Sequence, residues 1–174
     1  MPCSAAERNG HKMNKNDEIR SFIINSKYLC LGACDDSGNV WTCPLTYVAD
    51  DELNIYFHSS PDSRHIEMIR DNPNVSFSIY DSTLMLGEVD GLQGSGIVGQ
   101  LEADEVEKIH GMFFKKHIPD AEIRKMYAPP AVAFLSDTFP QKRFFKLMIT
   151  ELYKKDMELF NVFRRKEISL DSLK

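Results

Sequence analysis

The spacing of apolar positions changes several times along the chain, and each change marks an element. In residues 17–26, "DEIRSFIINS", Ile19, Phe22 and Ile23 fall on one side at helical spacing. The period then shortens to two. Leu29, Leu31 and Ala33 alternate with Cys30, Gly32 and Cys34, predicting a first strand. Val40 to Val48 is rich in β-branched and aromatic residues and predicts a second. Leu53, Ile55 and Phe57 alternate in a third. The turn sequences "DDSGN" and "ADDE" separate these runs and are too short for crossover helices, so the strands form an antiparallel meander. A helix follows over about 62–71 and stops at "DNPN", where Pro73 cannot continue it.

Val75, Phe77 and Ile79 give a fourth strand, and "LQGSGIVGQLE", residues 92–102, a fifth. The three glycines of that strand predict a bulge, or the close approach of another backbone or a ligand. Residues 81–91 have no period and read as a loop or irregular edge. Asp104 can cap a helix over 105–117, with Val106, Ile109, Phe113 and Phe114 as its apolar face. "IPDAEIRKMY" adds a short helix, and "APPAVAFLSDTFPQ" shows no clear period. Phe145, Leu147 and Ile149 alternate in a sixth strand, and "MELFNVFRRKEI" reads as a seventh or a terminal hairpin arm. The pattern predicts a mainly β (α+β) chain: a small antiparallel barrel of about six to seven strands with short flanking helices. Residues 1–16 read as a flexible leader and 17–174 as one domain.

Charge narrows the function classes. The formal net charge is −5, so the chain has no global basic field for nucleic acid. "FFKKH" at 113–117 complements a helix C-terminus, and "FRRKE" near the end reads as a solvated strand or tail. No apolar run approaches the ~20 residues of a membrane span, and the first sixteen residues lack a signal-peptide core. The expected compartment is the cytoplasm. Cys30 and Cys34, four apart in a strand, are separated by about 13 Å and cannot share an ion. No metal site is expected, and the cysteines read as small core residues.

The densest polar cluster is "FHSSPDSRHIEMIRDNP", residues 57–73. Ser60, Asp62 or Ser63 can cap the helix that follows, and Pro61 suits its entrance. A first helical turn has free N–H groups and a positive dipole end. Ser59, Ser60 and Ser63 add hydroxyls, Arg64 a bidentate cation and His65 a further donor. On composition alone, two readings stay open: a well-capped helix start with solvated side chains, or a phosphate cradle. Trp41 and Tyr47 share a strand face with Cys43 and read as barrel packing ahead of ring stacking.

The order of these parts resembles the pyridoxamine 5'-phosphate oxidase-like superfamily of FMN-binding split β-barrels. The likeness rests on "TCPLTYVADDELNIYFH", then "SSPDSRHIEMIRDNPNVSFSIYD", then "GIVGQLE" and a helix. It covers residues 17–117, with weaker echoes to about 152. The resemblance implies a homodimer with FMN at the subunit interface and a small-molecule substrate stacked on the flavin. It carries FMN phosphate and ribityl contacts onto His58, Ser59, Ser63, Arg64 and His65. It carries isoalloxazine contacts onto the strand Cys43, Pro44, Leu45 and Thr46, and a later polar contact onto Gln93 or its neighbour Gly94. Cys43 stands where the family commonly has Arg, and His65 where it often has Lys. No residue is implied as an obligatory acid or base. Alternatives within the same architecture are a non-catalytic dimer without flavin, and a heme- or deazaflavin-binding member.

Overall fold

The computed structural model describes residues 14–84, 91–137, 141–155 and 165–173. Helix α1 spans Lys15–Asn25, two residues earlier than the apolar period suggests, because the Asn14 side chain accepts from the Asp17 amide and caps it. Strand β1 is Tyr28–Cys34 and β2 is Val40–Thr46, paired antiparallel. The expected second strand does not continue to Val48. Tyr47 ends the ladder: its amide still donates to the in-register Lys27 carbonyl, but its carbonyl turns to His117 Nε2 and its buried hydroxyl donates to the Ile23 carbonyl of α1. The next two residues, β3 (Val48–Ala49), pair instead with β4 (Ile55–Ser59).

The turns on either side of β2–β3 share one chemistry. Asp35 Oδ1 accepts from the amides of Ser37 and Asn39, and Asn39 Nδ2 donates to Asp35 Oδ2. Asp50 does the same for Glu52 and Asn54. The fourth residue has positive φ in both: Gly38 at 82°, and Leu53 at 64°. Leu53 therefore belongs to the turn and not to the strand, and its buried side chain offsets the left-handed backbone.

Helix α2 (Arg64–Asp71) starts two residues later than expected, with Ser63 as its N-cap; Pro61 and Asp62 lie in the entering turn. Strands β5 (Asn74–Tyr80) and β6 (Gly91–Gln100) follow. Helix α3 (Val106–His117) begins after a turn over 102–105, with Glu105 and not Asp104 at the cap. Helix α4 (Ala121–Tyr127) is capped by Asp120. Ala131–Phe134, without a clear period, forms a 3-10 turn. β7 (Arg143–Lys155) and β8 (Arg165–Glu167) complete the sheet, and a last 3-10 turn covers Leu170–Leu173. The expected loop at 81–91 and terminal arm from 157 fall partly outside the described residues.

The strand order is β2-β1-β5-β6-β7-β4-β3, with β8 on β7, every pair antiparallel. The sheet curls so that β2 comes close to β4 and α2 without pairing to β4. That seam makes the molecule a split barrel. Inside it, α1 and α2 cover a core of Ile23, Leu31, Ile55, Phe57, Ile66, Ile79, Leu147 and Leu152, all essentially without exposure. A second cluster, with Phe113, Phe114, Phe134 and Phe144, forms where α3 covers the other face of β4 and β7. β4 is thus covered on both faces. Lys116 at the end of α3 reaches back to the Ile24 and Ser26 carbonyls and closes the C-terminus of α1.

The bulge expected from the β6 glycines is present between Ser95 and Gly96. Gly94 has a different cause. A Cβ there would overlap the Glu151 carbonyl oxygen and sit 2.8 Å from the Phe77 ring, so a protein side chain occupies the space. Gly94→Ala should cost about 1–3 kcal/mol from overpacking, read as a lower midpoint in chemical denaturation; an unchanged midpoint would refute this packing.

Candidate functional site

The polar cluster sits where β4 runs into α2, beside the seam. Ser59 points to the same side of β4 as Phe57, toward α2. Ser59 Oγ lies 2.8 Å from His65 Nε2 and 3.1 Å from Ser63 Oγ, and Ser63 Oγ lies 3.3 Å from the same nitrogen. Ser59 and His65 are each about nine-tenths buried. Burial lowers the His65 pKa below its ordinary value.

Ser63 occupies the N-cap position but its side chain makes no cap bond. Its hydroxyl donates instead to the Ser60 carbonyl at 2.7 Å. The first-turn amides of Arg64 and His65, which have no intrahelical acceptor by construction, are therefore not closed by that hydroxyl. Arg64 is exposed, and its guanidinium lies 4.4 Å over the Trp41 ring of β2. This stack ties α2 to the edge strand β2. Sequence spacing gives no signal for it, because the two residues are far apart in the chain.

Among the described residues β2 pairs only with β1, so its other edge faces the seam. Pro44, with no amide hydrogen, is suited to such an edge. Cys43 and Leu45 point inward and pack against the core, and burial pushes the Cys43 thiol up to about 11. Thr46 is the last residue of this strand.

Two expected contacts lie elsewhere. Gln93 is on the outer face of the sheet, in a shallow groove with Cys30, Gly32, Ser76, Ser78 and Tyr153. His58 faces the opposite side of β4 from Ser59, in the second cluster, 4.7 Å from Phe113 and 5.5 Å from Phe134 between ring centroids. Among the described residues its buried Nδ1 has no hydrogen-bond partner. The alternation Phe57–His58–Ser59 already separates these faces once Phe57 is read as core. His110 and His117 join the same cluster, each with Nε2 on a backbone carbonyl, of Pro129 and Tyr47. No group of three potential metal ligands occurs among the described residues, and none of their helices is long and apolar enough to cross a membrane.

Burial first, then Lys142 and His117, push His58 down to about 4. The unfolded chain, with histidine near 6.5, binds more protons between these values, so stability falls as pH drops from about 6.5 toward 4. The loss should be of the order of 3 kcal/mol at most. His58→Leu should flatten the dependence of the denaturation midpoint over that window; an equally steep curve would move the effect to other groups.

These features define a split-barrel protein with an open, polar helix entrance at its seam. A family model described as pyridoxamine 5'-phosphate oxidase matches residues 16–156, and the chain belongs to that family. It is similar to the UPF0306 protein PM1958 of Pasteurella multocida, 25% identical over 102 residues, 56% of this chain and 68% of the relative. Among solved structures, it resembles a heme-binding protein from Mycobacterium smegmatis, at 12% identity with a TM-score of 0.67. The match covers 94% of this chain and 61% of that one. It also resembles an FAD-binding protein from Mesorhizobium loti, at 19% identity with a TM-score of 0.55, over 78% of this chain and 89% of that one.

Proposed function

We propose that this chain is an FMN-binding flavoprotein and an oxidoreductase, working as a homodimer with the flavin at the subunit interface. The observation that carries the reading is the diverted N-cap: Ser63 leaves the first turn of α2 open while Ser59, Ser63 and His65 converge beside it. The donors fit a phosphate monoester, which takes amides, hydroxyls and a guanidinium at once. Arg64 supplies the guanidinium and His65 stands in place of the usual lysine. The open edge of β2 at Cys43–Thr46 offers backbone groups to the flavin ring. The flavin, when bound, supplies the redox chemistry, and the protein holds and orients it.

A second copy would cover the outer sheet face. That face exposes Tyr28 and Tyr80 at one end and Val40, Ile97 and Met148 at the other, around the groove that holds Gln93. An apolar surface with a polar centre of this kind suits an interface. Gln93 then reaches a flavin bound at the neighbouring subunit's seam.

Purified protein, or protein titrated with FMN, should show flavin absorbance and quenched flavin fluorescence. It should elute as a dimer. Silent FMN would leave the reading without its cofactor, and a Soret band on adding heme would support the heme alternative. His58, His110 and His117 are turned into the second cluster, which leaves His65 as the one described histidine at the seam.

A further inference from the structure

The hydroxyl hydrogens at the helix entrance can be accounted for one by one. Ser63 uses its single hydrogen on the Ser60 carbonyl, at 2.7 Å. Ser59 has two acceptors within reach, His65 Nε2 at 2.8 Å and Ser63 Oγ at 3.1 Å. While Nε2 carries no hydrogen it acts as an acceptor, and the Ser59 hydrogen is drawn to it. Both hydroxyls then donate inside the protein and neither donates to a ligand. When Nε2 carries a hydrogen, it donates to Ser59 Oγ, and the Ser59 hydrogen is released from the imidazole, to turn to Ser63 Oγ in the empty site or outward to a bound phosphate.

We propose that His65 makes phosphate capture at this entrance proton-coupled: a proton taken up at Nε2 reverses the His65–Ser59 hydrogen bond, turns the Ser59 hydroxyl toward the phosphate and adds an imidazolium charge behind it. This rests on the FMN reading of the same site and adds its regulation. The neutral tautomer with hydrogen on Nε2 frees the same hydroxyl but brings no charge, so a phosphate dianion favours the imidazolium.

The surroundings leave this role to His65. On α2, Arg64 is stacked on Trp41, Glu67 is exposed, and Arg70 donates to the Pro61 carbonyl of the entering turn. In the entering turn, Asp62 is exposed as well. On β4, the neighbouring His58 faces the opposite side. Opposite Ser59 on β7, Arg143 is tied to Asp137 and to the Ser136 carbonyl. On β2, the only titratable group is Cys43, whose raised pKa keeps it a neutral thiol. On β1, Cys30 and Cys34 lie on the other face of the sheet from Leu31. Burial alone accounts for the low pKa of free His65. A bound dianion acts in the opposite direction and raises it. Between the free and bound values, binding takes up a proton, so affinity strengthens as pH falls through the bound value and levels off below the free one.

The test measures FMN dissociation constants for the full chain from pH 6 to 8.5, with His65→Lys and His65→Gln alongside and riboflavin as the phosphate-free ligand. The FMN phosphate itself titrates near pH 6, but it does so equally for all three proteins, so ratios between them isolate His65. The wild-type affinity should fall relative to both variants as pH rises, by up to about tenfold per pH unit, the limit for one linked proton. His65→Lys should bind most tightly at high pH, and His65→Gln weakly throughout. Riboflavin should show no such divergence. If wild type and His65→Gln bind FMN with parallel pH profiles, the proton coupling is wrong and the FMN reading stands. If no variant binds FMN at any pH, or riboflavin binds as tightly as FMN, both fall together.

Discussion

Arg64→Ala should lower FMN affinity by about tenfold to a hundredfold or more, the largest effect expected of any single substitution at the proposed site. The size follows from the chemistry. A charge-assisted hydrogen bond contributes about 1.5–3 kcal/mol, and each ~1.4 kcal/mol is a factor of ten in the dissociation constant. Arg64 is the permanent cation of the first turn of α2, since Arg70 is bonded to the Pro61 carbonyl and Arg143 to Asp137 and the Ser136 carbonyl. Its guanidinium is already placed by Trp41, 4.4 Å beneath it. Less rotamer freedom is then lost on binding than for a free arginine. Trp41 is also the single tryptophan of the chain, so its emission reports on this corner alone. The measurement is a titration followed through flavin fluorescence, with Arg64→Lys alongside. Lysine keeps the charge but loses the fork and most of the stacking, so it should fall between the two. Unchanged affinity in Arg64→Ala would return the stretch to a plain helix start.

Phe57→Ala removes about 3–5 kcal/mol of folding stability. Phe57 is fully buried at the centre of the inner core and stacks on Phe145 across the β4–β7 ladder, with ring centroids 5.6 Å apart. Truncation leaves a cavity that a two-sided strand cannot close, because Tyr56 and His58 fix its other face against α3. A domain of this size is stable by only about 5–15 kcal/mol, so the variant should unfold at much lower denaturant. FMN binding should weaken with it, since Ser59 is placed by the same strand. A midpoint close to wild type would show that the core does not depend on this ring.

Most elements were legible because their apolar period was clean. Leu29–Leu31–Ala33 and Val75–Phe77–Ile79 each alternate once per residue and line one face of one sheet. The helix over 106–117 shows its face through Val106, Ile109, Phe113 and Phe114, all buried. The break at Tyr47 was not legible, because it depends on a hydroxyl bond to α1 that no local pattern encodes. Leu53 looked like a strand residue because it is apolar. The signal that places it in a turn is the repeat Asp35…Asn39 and Asp50…Asn54, a spacing with a mechanism of its own. At the site, the Ser59–Ser63–His65 convergence follows from a strand end meeting a helix start. The Arg64–Trp41 stack does not, since it requires the sheet to curl. Gln93 lies on the outer face, where a single chain leaves it apart from the seam.

The position of β4 in the strand order also governs how the chain is made. β4 emerges early from synthesis, yet most of its ladder partner is β7, with Ile55 waiting for Leu147 and Ser59 for Arg143. Until β7 arrives, the short β3 covers only Ile55 and Tyr56. β1, β2, β5 and β6 can assemble from nearby sequence, whereas β4 stays an apolar strand with a bare edge. Closure of the barrel is therefore a late, long-range event. Between the emergence of Ser59 and that of Arg143 the strand lacks this partner, and a truncation ahead of Arg143 should collect in the insoluble fraction.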